Sequence, residues 1–340
     1  MKRLYSSVVL LMLLVQAGVA QELHFRSVGI DTTCTYRGLS VVDDQVAWVS
    51  GKGTVITTND GGAQWEQRKI KGFEKLDFRT LYAFNAKEAV IANAGSPAYI
   101  LRTSDGGDNW QVVYYNDDDA AFFDGADFWN NRDGIIYGDP VNGRMLLLRT
   151  HDGGKTWKEL PDRSRPAMKE GEASFAASGT GIRCYGQRKV FISSGGKVSR
   201  LYVSNDKGKT WEVRTSPMMH GESSAGIFSL AFATANNGVI AGGDYLNNTL
   251  AKDHVFYTRD GGKTWKAPKT PTRGQRECVE VVPPHLVLAS GVTGMELSRD
   301  GGVNWKPVDG QKNFAVARKA RKGKLVLAAG KGKLSILTIK

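Results

Sequence analysis

Short apolar segments alternate with polar turns along this chain, and no stretch has the period of a long amphipathic helix. After the first 20 residues, segments rich in Val, Ile, Phe and Tyr are separated by turns rich in Gly, Asn, Asp and Lys. The first group of segments reads RGLSVVD, QVAWVSG, TVITTN and WEQRKI, and the second reads RTLYAFN, EAVIANA, AYILRTS and WQVVYYN. Each group predicts four consecutive strands, so the pattern indicates an all-β protein made of four-stranded units.

A turn sequence of the form Ser/Thr-x-Asp-x-Gly-x-x-Trp, which we call the box, occurs six times. Successive aspartates are 40 to 54 residues apart, close to the roughly 40 to 50 residues of one propeller blade. The six boxes share an aspartate and a tryptophan, which are Asp60, Asp105, Asp152, Asp206, Asp260 and Asp300, and Trp65, Trp110, Trp157, Trp211, Trp265 and Trp305. The box therefore marks one turn of a repeated β unit.

Each residue type in the box has a local structural role. The Asp carboxylate can accept backbone N–H groups of a tight turn, and the glycines can adopt positive φ angles. The Ser/Thr hydroxyl can bind the same turn, and the Trp can bury its ring against the sheet. The alternative is a catalytic or calcium-binding aspartate, but an active site is not normally repeated six times. We therefore interpret the box residues as structural.

The boxes resemble the Asp-box, or BNR, repeats of sialidases, sortilin-type receptors, some glycoside hydrolases and photosystem II stability/assembly factor-like proteins. The resemblance is strongest to the last group and its bacterial relatives, some of which are labelled oxidoreductase or glycosyl hydrolase. It is strengthened by the segments YRGLSVVDDQVAWVSG, GDPVNGR, EASFAASGTG and AGIFSLAF. The resemblance implies a β-propeller and leaves several activities open.

Six boxes predict six blades, and the chain supplies strands for one more. FAVARKA, KLVLAAG and KLSILTI follow residue 313, and LHFRSVGI precedes the first unit. If that early run is the outer strand of the last blade, the ring closes at seven blades and leaves no exposed sheet edge. The missing seventh box then corresponds to the gap between the chain ends. The predicted fold is a single seven-bladed β-propeller over residues 21–340, closed by the N-terminal strand joining the C-terminal blade.

Residues 1–20 have the features of a cleavable secretory signal peptide. Lys2 and Arg3 precede an apolar stretch over residues 8–15, and Gly18-Val19-Ala20 form a small-residue cleavage site. The apolar stretch is too short to span a bilayer. The first cysteine is Cys34, so no lipid-anchor motif follows the cleavage site. We expect a secreted or periplasmic protein without a transmembrane segment, and a monomer by default.

The mature chain is basic. Without Lys2 and Arg3, the 46 lysines and arginines fall to 44 against 34 acidic residues, a formal charge of +10. Such an excess favours an anionic partner, and an acidic protein segment or an anionic glycan is the expected one; a membrane surface is a further possibility. The alternative is an ordinary solvated basic surface. Nucleic acid is not expected as a partner of an exported protein without a nucleic-acid-binding motif.

The residues that commonly hold metals or redox cofactors form no recognisable pattern here. Cys34, Cys184 and Cys278 fall in different repeats, and an odd number of widely spaced cysteines does not form a disulfide framework. The five histidines show no zinc-binding spacing. No dinucleotide-binding or haem-attachment motif occurs either. We therefore predict no metal and no cofactor.

The candidate binding site is the channel mouth where the innermost strands begin. Aligning these strands on a leading aromatic gives the pairs Tyr36-Arg37, Phe78-Arg79, Phe123-Asp124, Phe175-Ala176, Phe228-Ser229 and Phe314-Ala315, with Arg276-Glu277 in the sixth unit. The second member of each pair is expected near the mouth. The resulting candidates are Arg37, Arg79, Asp124, Ser229 and Glu277, with Asp139, Glu172 and Arg276 nearby. They form either a structural ring of ion pairs or a site for a polar ligand or peptide terminus.

Three functions compete for this fold. The first is a non-catalytic binding or assembly module that presents a basic mouth to an acidic protein or anionic ligand, and we favour it. The second is a sialidase-like glycoside hydrolase acting on anionic glycans, in which Arg37 and Arg79 bind the substrate carboxylate and Asp124 or Glu277 is the acid. The sialidase Phe-Arg-Ile-Pro signature is not met, because Phe25-Arg26-Ser27-Val28 lacks the proline. The third, a redox enzyme, has the least support, and we assign no catalytic residue.

Overall fold

The seven sheets of the protein form a β-propeller. The structure, a computed structural model, describes residues 23–283, 285–308 and 310–339. The predicted signal peptide lies outside these residues. Within them the chain forms seven sheets of β-strands and one short 3-10 helix, Asp162–Ser164. The predicted all-β, seven-bladed fold is confirmed.

Four blades are antiparallel sheets whose four strands follow chain order. Blade 1 comprises Tyr36–Val41, Ala47–Gly51, Thr54–Thr58 and Glu66–Lys69. Blade 2 comprises Phe78–Ala83, Ala89–Asn93, Ala98–Thr103 and Gln111–Asn116. Blade 3 comprises Phe123–Phe128, Gly134–Val141, Arg144–Thr150 and Lys158–Glu159. Blade 6 comprises Cys278–Val282, Leu286–Gly291, Gly294–Ser298 and Trp305–Val308.

Blades 4 and 5 lie side by side and share an irregular connection. Blade 4 comprises Ile182–Tyr185, Lys189–Ser193, Arg200–Ser204 and Glu212–Thr215. Blade 5 comprises Ala225–Phe232, Gly238–Asp244 and Val255–Thr258. Two short strands, Glu172–Ala173 and Gly195–Gly196, extend the sheet of blade 5 beyond its first strand. This irregularity places the segment before blade 4 across one end of the ring.

Blade 7 is made from both ends of the described chain. Phe314–Lys319, Val326–Gly330 and Lys333–Ile339 form three strands, and Leu23–Val28 is the fourth. Leu23–Val28 pairs antiparallel with the last strand, from Leu23 opposite Ile339 to Val28 opposite Leu334. Blade 7 also binds blade 1, because the amides of Arg321 and Lys322 donate to the carbonyls of Val41 and Val42. The first and last strands are thereby joined in one sheet.

The core lies between neighbouring blades. The first strands of adjacent blades pack against each other around the central channel. The second strand of blade 1, Ala47–Gly51, is buried along its whole length, whereas the outer strand Glu66–Lys69 is largely exposed. Because such a strand is buried on both faces, its consecutive residues are mostly apolar, which explains the short apolar runs in the sequence. Between blades 1 and 2, for example, Trp48, Phe78 and Leu101 belong to one buried cluster.

The boxes form the turns between the third and fourth strands of blades 1, 2, 3, 4 and 6, as predicted; in blade 5 the box follows the third strand and leads to a single bridge between Tyr257 and Lys266. In the first box, the Thr58 hydroxyl donates to Asp60 Oδ1 at 2.9 Å and accepts the Gly62 amide at 3.0 Å. Asp60 also accepts the amide of Gln64 at 3.0 Å. Gly61 and Gly62 have φ angles of 71° and 85°, which glycine adopts without a Cβ clash. The same hydroxyl–carboxylate bond occurs in the other five boxes, so each box carboxylate binds its own turn.

Candidate functional site

The inner strands begin at what we call the upper end of the channel, and most of them carry a β-bulge there. The pairing register shifts between Tyr36 and Gly38, and the equivalent shift recurs in blades 2, 3, 5 and 7. A bulge leaves one residue unpaired and re-aims its side chain. The bulged residues are Arg37, Arg79, Asp124, Phe228 and Ala315. Four of them, all except Ala315, line the cavity described next.

The upper end opens into a cavity of about 560 Å³, which we call the mouth cavity. Its lining includes five of the predicted site residues: Arg37, Arg79, Asp124, Asp139 and Glu277. The segment 173–177, which connects blade 3 to blade 4, forms another part of the wall. The structure therefore brings together residues from blades 1, 2, 3 and 6 that are far apart in sequence.

The two arginines of the mouth cavity are held by partial sets of hydrogen bonds. Arg37 Nη1 donates to Glu277 Oε2 at 3.1 Å and to the Ala177 carbonyl at 2.8 Å. Arg79 Nε donates to Asp77 Oδ2 at 2.8 Å, and its Nη1 donates to the Ala176 carbonyl at 3.3 Å. A guanidinium group has five N–H donors in a planar fork. Both side chains therefore keep donors for a further acceptor while they anchor the 173–177 segment.

The acidic side of the cavity is less well paired. Asp124 is fully buried, and no described protein group donates to either of its carboxylate oxygens. Burial raises the pKa of Asp124 well above its usual range, Asp139 adds to that effect, and Arg79 opposes it. Asp139 accepts the Ser174 amide at 2.8 Å, and burial raises its pKa too. The buried Tyr137 hydroxyl beside these carboxyl groups also lacks a partner within the described chain.

The charge of the lining differs from the expectation. Two arginines, Arg37 and Arg79, face three carboxyl groups, those of Asp124, Asp139 and Glu277. The mouth is therefore mixed in charge and is not a uniformly basic face. A basic mouth was expected from the net positive charge of the whole chain, but composition does not report where the charges lie.

One wall of the mouth cavity is aromatic. The rings of Phe175 and Phe228 stack with centroids 4.2 Å apart, and Tyr245 meets both rings edge-on. Tyr245 is 51% exposed, and the neighbouring Leu246 is 78% exposed. The sequence analysis did not assign this wall to the site, although Phe175 and Phe228 stood out as leading aromatics. An apolar surface next to free arginine donors suits a ligand that has both apolar and anionic groups.

Three predicted residues lie outside the mouth cavity. Ser229 is buried and is hydrogen-bonded to Thr180 at 2.6 Å and to the Val279 amide at 2.9 Å. The alignment on Phe228 was wrong by one residue, because in blade 5 the aromatic residue is itself the bulged one. Phe228 therefore takes the position that was assigned to Ser229.

Arg276 and Glu172 are also placed differently from the prediction. Arg276 occupies the position of the leading aromatics in the other blades and is completely buried, with its Nε 2.5 Å from Glu296 Oε2. Glu172 is buried in an ion pair with Arg200 and accepts a hydrogen bond from Tyr202 Oη at 2.6 Å. Both charges are paired within the protein and do not face the cavity.

The pair Phe175-Ala176 does not begin an inner strand. The inner strand of blade 4 starts later, at Ile182, and residues 174–181 form a loop. The longer spacing between boxes in this region, 54 residues, accommodates that loop. Ala176 lines the cavity through the loop and not through a bulge.

The opposite end, which we call the lower end, holds a second cavity of about 70 Å³. Glu280 lies between two arginines there, 2.5 Å from Arg183 and 3.5 Å from Arg318. Arg321 donates to Ser40 Oγ at 3.0 Å and lies 4.3 Å from the centre of the Tyr82 ring. These residues were not predicted as a group, although the run RKARKGK over 318–324 is the most basic stretch of the chain.

The described residues offer no metal centre and no disulfide. No group of three or more His, Cys, Asp or Glu side chains in this part of the chain could hold a metal ion. Cys34 and Cys184 are partly buried free thiols, and Cys278 is a buried one. Over the same residues, no helix has the length and apolar character needed to cross a membrane.

Comparison with known families gives matches to two parts of the chain. Residues 17–118 match the family described as "Photosynthesis system II assembly factor YCF48". Residues 145–279 match the family described as "Sortilin, neurotensin receptor 3". Both families are among those that the box sequences resemble.

The curated relatives include photosystem II assembly proteins. "Photosystem II assembly lipoprotein Ycf48" of Synechococcus sp. (strain CC9902) is 23% identical over 307 residues, covering 78% of this chain and 88% of the relative. "Photosystem II assembly protein Ycf48" of Thermosynechococcus vestitus is 23% identical, covering 71% and 74%. "Photosystem II stability/assembly factor HCF136, chloroplastic" of Arabidopsis thaliana is 40% identical over 63 residues, covering 18% and 15%.

Solved structures share the fold at low sequence identity. "YCF48 bound to D1 peptide" superposes with a TM-score of 0.67 at 18% identity, covering 93% of this chain and 97% of that one. "Streptogramin B lyase structure" gives a TM-score of 0.64 at 12% identity, covering 94% and 98%. At these identities the likeness shows the fold alone. The same fold occurs in a lyase, so it does not identify an activity. Taken with the box repeats and the curated relatives, the comparisons show that the chain is a BNR-repeat β-propeller close to the photosystem II assembly factors.

Proposed function

We propose that this chain is an exported, non-catalytic binding module that holds a segment of a protein partner in the mouth cavity. The observation that carries the proposal is the open cavity of about 560 Å³ where Arg37 and Arg79 lie beside an aromatic wall. The relatives named as photosystem II assembly proteins support an assembly role. The solved YCF48 structure named as bound to D1 peptide supports a peptide as the ligand class.

The chemistry of the cavity suits a peptide segment that carries a carboxylate. Free N–H donors of Arg37 and Arg79 can bind a carboxylate or a backbone carbonyl, and charge-assisted hydrogen bonds are the stronger kind. The Phe175–Phe228 stack offers an apolar surface for a neighbouring side chain. We therefore expect the partner to present an acidic side chain or a chain terminus next to an apolar residue.

The same geometry favours binding over sialidase-like hydrolysis. A general acid must reach the substrate within hydrogen-bond distance. Asp124 has no exposed surface, and Glu277 is already paired with Arg37 at 3.1 Å. Neither of the two acids considered for a glycosidase is therefore free to serve that role. A screen of the purified protein on sialosides and other anionic glycans is expected to show no turnover.

The decisive experiment is affinity capture from the exported fraction followed by a direct binding measurement. The Arg37→Ala/Arg79→Ala double variant is expected to lose the partner that the wild type retains, because it removes the free guanidinium donors. Binding of a synthetic peptide from the captured partner is then measured by calorimetry.

The matched control is Arg259→Ala/Arg299→Ala, which removes two arginines from the box turns of blades 5 and 6. This variant is expected to retain the partner, since it lies away from the mouth cavity. Thermal unfolding shows whether a variant that loses the partner is still folded. Full retention by the Arg37/Arg79 variant would contradict the proposal, and loss of the fold in that variant would assign the arginines a structural role instead.

A further inference from the structure

Two repeat-related clefts lie between blades at the lower end, and only in one of them does a lysine replace the first glycine of the box. The blade 2/3 cleft has a volume of about 350 Å³, and the blade 3/4 cleft has one of about 600 Å³. Each contains the arginine that precedes a box threonine, an acidic residue from the turn between the first and second strands, and the following box. The equivalent pairs are Arg102 and Arg149, Glu88 and Asp133, Phe84 and Trp129, and Gly153 and Lys207.

In the blade 2/3 cleft, the arginine is satisfied within the protein. Arg102 Nη2 donates to Glu88 Oε1 at 2.5 Å. Its Nε donates to the Gly153 carbonyl of the next box at 3.1 Å. This cleft therefore shows how the repeat pairs an arginine at this position.

In the blade 3/4 cleft, the equivalent arginine has lost these partners. The Arg149 side chain is only 6% exposed, yet its guanidinium makes no hydrogen bond to any described residue, and Asp133 is 3.8 Å away. Asp133 is one methylene shorter than Glu88. It is also occupied by other groups, since Lys207 Nζ lies 2.9 Å and His151 Nδ1 lies 2.7 Å from its oxygens.

Lys207 is the box residue that distinguishes the blade 3/4 cleft from the blade 2/3 cleft. The five other boxes have glycine at its position. Lys207 has a φ of 63°, in the left-handed region that is unfavourable for a residue with a Cβ. Its Nζ binds Asp133 and lies 5.9 Å from the centre of the Trp129 ring, and Arg149 Cζ lies 5.4 Å from the same ring. The substitution therefore brings a second cation to the buried arginine.

The cleft consequently has more positive charge than its carboxylates balance. Arg149, Lys207, Arg188 and Lys209 line it, against Asp133 and Asp206. Asp206 is engaged in its own box, where it accepts the hydroxyls of Ser204 and Thr210. A buried cation without a hydrogen-bonding partner is costly, and an external anion would supply the missing acceptors.

We propose that the blade 3/4 cleft is an anion-binding site that takes a compact oxoanion, such as a phosphate, sulfate or carboxylate group. Arg149 and Lys207 hold the anion beside Trp129, while Arg188 and Lys209 attract it from the rim. The blade 2/3 cleft does not bind such a group, because Glu88 and Gly153 already satisfy Arg102. This site is separate from the mouth cavity and does not depend on the function proposed for it.

The test is a titration of the isotope-labelled protein with inorganic sulfate and inorganic phosphate at constant ionic strength, followed by NMR. The indole N–H of Trp129, which donates to the Lys189 carbonyl, is the reporter. Wild type is expected to show a saturable shift of this signal. Binding in Lys207→Gly is expected to be weaker by roughly tenfold, the size of one charge-assisted hydrogen bond.

We expect Lys207→Gly to fold normally, because it restores the box pattern and removes the lysine with the left-handed backbone conformation. Its melting temperature is expected to stay unchanged or to rise. Asp133→Asn is expected to act in the opposite direction and to tighten anion binding, since it removes the competing carboxylate. Lys155→Ala, which removes the equivalent of Lys209 from the blade 2/3 cleft, is the matched control and should leave the titration unchanged.

Two outcomes overturn the proposal. One is a wild-type Trp129 signal that does not saturate, and the other is a Lys207→Gly variant that binds as tightly as wild type. A heparin-derived sulfated disaccharide in a parallel titration identifies the source of the anion. Tighter binding than inorganic sulfate indicates a sulfated glycan, and equal binding indicates a free anion.

Discussion

The two ends of the central channel are formed by the same seven blades but have different properties. The mouth cavity at the upper end has a volume of about 560 Å³, against about 70 Å³ at the lower end. At the upper end, Asp124 is buried with no described donor to its carboxylate. At the lower end, the carboxylate of Glu280 lies between Arg183 and Arg318. Both ends contain buried acids and arginines, so the difference in cavity volume does not come from the types of residue present.

The comparison shows that the pairing of charges separates a closed end from an open one. At the lower end each buried acid has donors, since Glu280 lies between two arginines and Asp127 accepts the amides of Phe128 and Cys184, and the side chains fill the channel. Where an acid and an arginine are held apart, space and unused hydrogen-bonding capacity remain for a ligand. A native protein tolerates such unsatisfied groups mainly where they have a function. The following predictions test this difference, from the largest expected effect to the smallest.

Removing the acid at the lower end should have the largest effect on stability. Glu280→Ala leaves Arg183 and Arg318 largely buried without their carboxylate, and this is expected to lower the free energy of unfolding by about 3 to 5 kcal/mol. Denaturant titration measures the change. Glu212→Ala is the control, because it removes an ion pair of 2.6 Å from an exposed outer strand and should cost less than about 1 kcal/mol. Equal losses in the two variants would remove the contrast between the ends.

Removing the acid at the upper end should have the opposite sign. Burial raises the pKa of Asp124 above the ordinary value of about 3.9. The favourable contribution of its protonated form is therefore complete below that value and is lost as the pH rises through the folded-state pKa. Asp124→Asn mimics the protonated carboxyl and is expected to be more stable than wild type at pH 7 by about 1 to 3 kcal/mol.

The pH profile checks that prediction. The gain from Asp124→Asn should vanish near pH 4, where wild-type Asp124 is protonated in the folded and increasingly in the unfolded state. The groups that influence this site are Asp139, Tyr137 and Arg79, so each is retained in the variant. A loss of stability at pH 7 would show that Asp124 is paired in solution, and the contrast with the lower end would fail.

Box carboxylates lie at the lower end but at its exposed periphery, and their loss should cost less. Burial alone would raise the pKa of Asp260, but hydrogen bonds from Thr264 and Thr258 lower it to about 2. Asp260→Ala is expected to lower the free energy of unfolding by about 1 kcal/mol, as for the loss of a cap. Because the folded-state pKa is lowered, the difference should be full above pH 4 and disappear as the pH falls through about 2. A constant difference over that range would contradict the role of the carboxylate.

The sequence predicts the blades well, because the signals for each blade are local. A box turn depends on eight consecutive residues, and its repetition reveals the period. The seventh blade could be inferred from the surplus strands alone. The bulged residues Arg37, Arg79 and Asp124 could be found because each follows a buried aromatic residue. The residue after that aromatic is the one that the bulge turns towards the mouth cavity.

The same reasoning fails where the local pattern changes. In blade 5 the bulge falls on Phe228, so the alignment selected Ser229. In blade 6 an arginine replaces the aromatic, and the acid that neutralises it, Glu296, is 20 residues further along the chain. The lower end and the blade 3/4 cleft depend on contacts between blades. No single stretch of sequence reports such contacts. The sequence does show that Lys207 stands where the five other boxes have glycine.

The composite blade 7 has a consequence for the order in which the molecule can be completed. Of the described strands, Leu23–Val28 is synthesised before all the others, and its partner, Lys333–Ile339, after all the others. Until that partner emerges, the early strand carries unpaired backbone groups and the ring stays open. Interruption of synthesis at any intermediate point would thus yield a molecule with two unprotected sheet edges, which are common starting points of aggregation. Chaperone protection of the nascent chain would matter most during this interval.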